Sequence, residues 1–572
     1  MLVDNKLKFD ASYQDIFRKG TIAVLTTLGS GLLFGSQNMM IAFVLILGSN
    51  ALALQNLRIK TVNKTLRLIA IDLIIVCLAF VASLNKWLSI PINFITLFLI
   101  IYLTVSPYNQ MSYKTFMMLF VFCQYTSIPL NALPNRFLMV MVTVTIVMIS
   151  IYFEQRRMKA LLPTQVGEGF KLILKQLTKM EEGQFDEDLS RALSQQMNEL
   201  AYVIYHTSYK RYFTTYVGKV HFHFYLNISY FNFLLEQMYK QVKRGLLSQK
   251  EMTSIKQLFT QVESYFNREI SREALIEKFD SYLNRYPHQM EIEEEIVDVI
   301  DAFRKNFSEL ETLDYKEKNK PYGNWERSDL NQIKNKIKAQ LTPKSISFNF
   351  AIRMSIVLTL TLFLAQIVGF YKFIWAIIPI MSITQPYYED TKRRKKDRIK
   401  SNILASIGIA LIINVIHVRW VAIGVLILAF YLIYAYKDYY HMSIFLTIIS
   451  MSIASVSKGI NALVFYRIIY VLLGAGIVEL TVGLRPYKLE NGIDELVART
   501  EHLNEILERE SILSLEGKES LDRVREAIIH SAVLCQKLYL KNKQYKDEKI
   551  NDLISINTEF VIRLGHSILR NK

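Results

Sequence analysis

Two long apolar blocks, residues 19–153 and 351–483, decide most of what this chain can become. Such stretches have to be buried in a core or in lipid. In lipid every backbone N–H and C=O must be paired within the protein, which favours helices. The sequence between and after the blocks is charged and helix-patterned. The chain therefore reads as an all-α polytopic membrane protein. Composition agrees, with 51% of the 572 residues hydrophobic and a mean hydropathy of +0.19.

A helix rises ~1.5 Å per residue, so about 20 apolar residues cross the ~30 Å hydrocarbon layer. Six candidates fit the first block, near 19–36, 38–54, 66–84, 88–106, 113–130 and 134–153. Six more fit the second, near 351–369, 372–385, 399–416, 418–436, 441–457 and 462–483.

Lys and Arg in the connections set sidedness. Loop 55–67 carries Arg58, Lys60, Lys64 and Arg67; loop 386–400 carries Lys392, Arg393, Arg394, Lys395, Lys396, Arg398 and Lys400. Lys114 and Lys437 mark two further loops on that side, while the alternate loops hold Lys86, Arg136, Lys372, Arg419 and Lys458. The basic loops, both termini and both polar regions are thus expected in the cytoplasm, in a multi-pass protein of the cell membrane. The start, MLVDNKLKFD, has no A-x-A cleavage pattern and reads as a retained cytoplasmic segment. The run QPYYEDTKRRKKDRIKSN, 385–402, reads as a topology determinant lying against anionic inner-leaflet headgroups. This also explains the net charge of +17, which in a soluble chain would suggest nucleic acid. No nucleic-acid partner is expected.

The blocks match each other at an offset of 331 (395 − 64): Lys64 with Lys395, Arg67 with Arg398, Tyr108 with Tyr439, Met111 with Met442, Ser112 with Ser443, and Arg136 with Arg467. The expected architecture is two parallel repeats of six transmembrane helices, each followed by a cytoplasmic helical region. Six is even, so the repeats share one orientation about a pseudo-twofold along the membrane normal. The expected domains are an N-terminal segment 1–18, a first repeat 19–153, a cytoplasmic helical domain 154–350, a second repeat 351–483 and a C-terminal helical domain 484–572.

In the polar regions, Ser248 and Ser271 each open an amphipathic run with Glu close behind, a helix-start signal. KEKNKPYGNWERSD reads as a linker. SDLNQIKNKIKAQL places Leu330, Ile333, Ile337 and Leu341 on one face, as in a stalk or interfacial helix. The tail opens with a stripe of Ile493, Leu496, Leu503 and Ile506. These helices are expected to pack on each other or on a second copy of the chain, giving a homo-oligomer.

The motifs of P-loop ATPases, zinc proteases, serine hydrolases and kinases are absent, so no enzyme is expected. Cys77, Cys123 and Cys535 form no CxxC pair. The HxH of His221 and His223 lacks a neighbouring Cys or carboxylate pattern. No metal and no cofactor is expected. Ionisable residues within spans are costly and face a partner or a cavity. Asp72 and Glu479 are read either as locally paired or as proton or substrate carboxylate sites. Arg136 and Arg467 either snorkel to the interface or face a central path for anions. Gln124, Gln366 and Asn414 are polar positions that line such a path or bridge helices.

Residues 373–416, FIWAIIPIMSITQPYYEDTKRRKKDRIKSNILASIGIALIINVI, resemble the aromatic acid exporter family that includes fusaric acid resistance proteins. Trp375, Pro386, Arg398 and Gly408 occupy the family's places, and RIIYVLLGAGIV from Arg467 is similar to its Arg-to-Gly segment. The first block lacks the Trp, and Asp72 has no acidic counterpart in the second. The resemblance implies proton-coupled efflux of aromatic or other small organic acids. The alternatives are a passive organic-anion channel, as in the related plant malate channels, and a membrane scaffold whose cytoplasmic helices recruit partners.

Overall fold

The computed structural model describes residues 12–53, 61–105, 113–157, 161–207, 216–245, 248–285, 291–310, 341–342, 345–416, 419–436, 438–455, 460–484, 487–515 and 521–570. Among them all regular structure is helical. The chain opens with α1 (Tyr13–Phe34), α2 (Met39–Ala53), α3 (Thr61–Leu84), α4 (Lys86–Thr104), α5 (Tyr113–Tyr125) and α6 (Leu133–Arg157). Next come α7 (Leu161–Glu181), α8 (Glu187–Thr207), α9 (Tyr216–Lys243), α10 (Gln249–Phe266), α11 (Arg272–Leu283) and α12 (Glu291–Glu309). A second apolar set follows: α13 (Ile346–Val368), α14 (Phe370–Ile383), α15 (Tyr388–Ile416), α16 (Arg419–Leu432), α17 (Tyr439–Ser455) and α18 (Ile460–Leu484). The chain ends with α19 (Leu489–Leu515), α20 (Leu521–Tyr545) and α21 (Glu548–Arg570).

These helices form two compact units. One contains the apolar sets, from α1 into α6 and from α13 to the first turn of α19. The other contains α7–α12 and the rest of α19 with α20 and α21.

A helix stands on each of the twelve predicted spans, but among the described residues five are long and apolar enough to cross a membrane: 62–84, 86–104, 130–153, 346–368 and 463–482. The predicted spans 372–385 and 418–436 yield α14 and α16, of 14 residues each. At ~1.5 Å per residue these reach only about 21 Å. Glycines with positive φ turn the chain between α1 and α2 (Gly35, +95°) and between α13 and α14 (Gly369, +109°).

The predicted basic loop 386–400 is a helix from Tyr388 onward and forms the first part of α15. Its residues favour this. Glu389 and Asp390 sit in the first turn, where carboxylates complement the helix dipole, and Lys and Arg are good helix formers. Asp390 also pairs with Arg393 at 3.1 Å. Thr61–Arg67 likewise belongs to α3.

Within the first unit α4 packs along α13, α1 along α16, and α14 against α18. The α4–α13 pair is antiparallel: Ser347 donates to the Val105 carbonyl (2.9 Å) at one end, and Trp87 meets Phe363 (5.5 Å) near the other. The distribution of side chains is reversed from that of a soluble bundle. Leu25, Leu32, Leu360, Leu364, Leu404 and Leu411 point outward, while Thr27, Ser30, Ser355, Thr359, Ser401, Asn402 and Ser406 are buried. An apolar exterior suits hydrocarbon, where close packing and hydrogen bonds hold helices together.

Gly474 shows how tight this packing is. A Cβ there would lie 2.7 Å from the Ala376 carbonyl oxygen and 3.2 Å from Pro379 Cβ. A backbone oxygen on a packed helix has little room to retreat. Gly474→Ala is therefore expected to destabilise the protein by about 1–3 kcal/mol, the usual cost of overpacking. Gly476, with open space around it, serves as control. Thermal unfolding of both variants checks this; equal melting temperatures would contradict it.

The second unit has an aromatic core around Phe170, whose ring lies 5.2–6.1 Å from those of Phe224, Phe259, Phe266, Phe303 and Phe307. Ser248 caps α10 in a reciprocal capping box with Glu251, and Ser271 caps α11. In α19 the predicted stripe holds for Ile493 and Leu496, which are buried, but Ile506 is 37% exposed and Leu507 takes the inner place. The linker and stalk predicted over 316–341 fall outside the described residues apart from Leu341, which is exposed.

Candidate functional site

Residues 398, 401 and 402 follow the i, i+3, i+4 spacing that shares one helix face, and on α15 that face is buried against α17 and α18. It holds Arg398, Ser401 and Asn402. From α17, Ser443 and Thr447 meet it, again one turn apart. Arg398 Nη1 donates to Ser443 Oγ (2.8 Å), and Ser401 Oγ donates to the same oxygen (2.7 Å). Asn402 donates through Nδ2 to the Arg398 carbonyl (2.7 Å). Its Oδ1 accepts from Thr447 Oγ1 (3.1 Å) and from Arg467 Nε (2.9 Å). The Arg467 guanidinium lies over the Trp375 ring, 4.5 Å from its centroid.

Both arginines are 1% exposed and within electrostatic reach of each other. Their hydrogen-bond partners in this cluster are neutral. Arg398 Nε and Arg467 Nη1 are buried without a hydrogen-bond partner. An arrangement of buried like charges held by neutral groups is costly, and stability alone gives no reason for it.

A second polar cluster forms among the first six helices. Arg136 Nε donates to Asn38 Oδ1 (3.0 Å), Nη1 to the Cys123 carbonyl (3.2 Å), and Nη2 to the Thr126 carbonyl (2.6 Å) and hydroxyl (3.1 Å). Asn38 in turn donates to the Phe34 carbonyl (2.7 Å). Arg136 thus caps the free carbonyls at the end of α5 and ties them to the turn after α1. Gln124 donates to Asn93 Oδ1 (2.9 Å). Asp72, 1% exposed on α3, has its Oδ1 buried and without a hydrogen-bond partner. Asp72 and Arg136 both lie within electrostatic reach of Cys123.

The residues singled out in the sequence therefore gather in two places. Arg467 joins Arg398; Arg136 shares a neighbourhood with Asp72 and Gln124. Gln366, half-buried, donates to the Ala82 carbonyl (3.2 Å) and bridges α13 to α3. Asn414 is exposed on α15. Glu479 is half-exposed on α18 and ion-paired with Lys395 of the basic run. In that run Lys392, Arg393, Lys396 and Lys400 are exposed, Lys395 is half-buried, and Arg394, also half-buried, lies 4.6 Å over the Tyr439 ring.

Arg398 departs from its predicted place. It points into the bundle, because it sits on the face of α15 that packs on α17 and α18. Its sequence counterpart Arg67 is exposed. Charge counting misses this, since it weighs every Lys and Arg in a run alike. The usable signal was the 398–401–402 spacing together with the matched Ser112 and Ser443. Outside the apolar helices, His223 Nδ1 lies 3.6 Å from Glu309 Oε2, and among the described residues no group of three His, Cys, Asp or Glu could hold a metal.

Residues 360–480 match the family model described as fusaric acid resistance protein-like. That stretch runs from α13 into α18 and contains Trp375, Arg398, Asn402, Ser443, Thr447 and Arg467. No curated protein and no solved structure matches the chain. With five long apolar helices and this fusaric acid resistance protein-like segment, it is a multi-pass membrane protein.

Proposed function

From a fusaric acid resistance protein-like segment whose apolar helices enclose buried charges, we propose that this protein is a membrane transporter that exports small organic acids, aromatic ones among them, driven by protons. The observation carrying this reading is that Asp72, Arg136 and Arg467 are all at most 2% exposed on apolar helices. Charge inside a membrane is expensive and is kept where ions or protons move. Cations suit a carboxylate substrate; Asp72 supplies a group that can take up and release a proton.

Two parallel six-helix repeats fit the proposal. Under a pseudo-twofold α13 corresponds to α1 and α16 to α4, and the observed contacts are reciprocal: α4 with α13, α1 with α16. The exposed lysines at the start of α15 suit the anionic cytoplasmic leaflet, with both termini on that side. The polar helices are proposed to lie in the cytoplasm and to support a homo-oligomer.

The test is flux of a panel of radiolabelled aromatic and aliphatic carboxylates in proteoliposomes with an imposed pH gradient. Gradient-driven accumulation of some members, abolished by a protonophore, is expected. Movement indifferent to the gradient would replace the carrier by a channel. An inert panel would refute transport of organic acids.

A further inference from the structure

Arg136 and Arg467 hold matching positions in the sequence, yet their surroundings differ. Arg136 donates from Nε, Nη1 and Nη2 to four oxygens around the end of α5, which makes it a structural clamp. Arg467 has its Nε on Asn402 and its Nη1 buried and unpaired. Arg398 resembles it, with Nη1 on Ser443, the Tyr439 hydroxyl beside its guanidinium, and Nε buried without a hydrogen-bond partner. The pair does not recur among the described residues of the first six helices, where Arg67, the counterpart of Arg398, is exposed.

We infer that Arg398 and Arg467, and not Arg136, form the anion seat of this chain, and that the seat takes one small dianion, a dicarboxylate in preference to a monocarboxylate. The inference rests on the transport reading for its biological sense. Its chemistry follows from charge and hydrogen bonding. The two guanidiniums hang on one polar face of α15: Arg467 Nε donates to Asn402 Oδ1, Arg398 lies one turn before Asn402 and accepts from it at its main-chain carbonyl, and its own Nη1 donates to Ser443 Oγ. Their partners Ser443 and Asn402 bring no negative charge, so two positive charges remain to be balanced. Of the intramembrane acids named above, Glu479 pairs with Lys395, and Asp72 sits among the first six helices within electrostatic reach of Cys123. Each guanidinium keeps an N–H for a visiting oxygen, and charge-assisted bonds of this type are the strong ones. Trp375 is a positioning residue: its face holds the Arg467 guanidinium, so binding at Arg467 would alter its fluorescence.

The chain has four tryptophans, so Trp87→Phe, Trp325→Phe and Trp420→Phe leave Trp375 as the sole indole. This full-length protein, in phosphatidylcholine nanodiscs, would be titrated with phthalate, benzoate, benzamide and inorganic phosphate. Phthalate should give a saturable change and bind about tenfold tighter than benzoate, as an added ion contact allows. Benzamide should give none. Arg398→Gln should weaken phthalate about tenfold and bring it level with benzoate. Should that variant not fold, Arg398→Lys keeps the charge without the planar fork and should weaken phthalate by roughly threefold.

Phthalate affinity within about twofold of the parent in both Arg398 variants would overturn the seat. So would an equal response to benzamide. Phosphate binding tighter than phthalate would overturn the dicarboxylate assignment. The two readings fail separately. Arg398-dependent binding without flux in proteoliposomes refutes transport and leaves the seat; phthalate flux unchanged by Arg398→Gln refutes the seat and leaves transport.

Discussion

Arg136→Met is expected to destabilise the membrane unit by about 3 kcal/mol or more, since each buried acceptor left unpaired costs roughly 1–3 kcal/mol. The guanidinium satisfies the carbonyls of Cys123 and Thr126, the Thr126 hydroxyl and Asn38 Oδ1. Methionine fills much of the same volume but donates to none of them. The Asn38 and Cys123 acceptors are buried, so their bonds are not made good by solvent, and the end of α5 and its tie to the α1 turn should loosen together. For a unit of this size the melting temperature should fall by roughly 10 °C. Arg467→Met should behave in the opposite way. It removes one bond to Asn402 and relieves the repulsion with Arg398, so the melt should hold or rise while anion binding is lost. Fluorescence-detected size-exclusion after heating separates the two. A parental melt in Arg136→Met would show that the clamp is not needed.

Under the proposed proton-driven export, Asp72→Asn is expected to uncouple transport from the pH gradient. Asparagine keeps the shape of the side chain and removes its ability to exchange a proton. The initial rate driven by a pH gradient should fall about tenfold or more, on the scale of losing a positioned proton-transfer group. Flux down the substrate's own gradient should continue. Because Asp72 Oδ1 has no hydrogen-bond partner, the substitution breaks no bond at that atom, and the melt should stay near the parent's. Paired flux assays with and without the gradient decide it. An undiminished gradient-driven rate would remove Asp72 from the mechanism.

Much of this was legible in the sequence, for physical reasons that are local. Apolar runs of span length marked the helices of the first unit, and Ser248 and Ser271 marked helix starts. Other features were not legible. A window dense in Lys and Arg looks the same whether it is a loop or a solvated helix turn, so the start of α15 was misplaced. Two adjacent apolar residues both fit a helical stripe, so Ile506 and Leu507 were exchanged. The short α16 escaped, ending at Leu432 inside the predicted span 418–436, because an apolar run does not reveal where its helix ends.

The sequence by itself determined that the chain is helical and lipid-embedded, and it picked out Asp72, Arg136 and Arg467 as charges in the wrong solvent. Hydropathy and periodicity are properties of short segments, and they survive without knowledge of the fold. Only the tertiary structure decided which arginine has its donors taken up and which keeps a buried N–H without an acceptor. Arg136 finds Asn38 across 98 positions and Arg467 finds Asn402 across 65. Whether a buried N–H has an acceptor depends on which distant helices pack beside it, and no spacing within one helix contains that information.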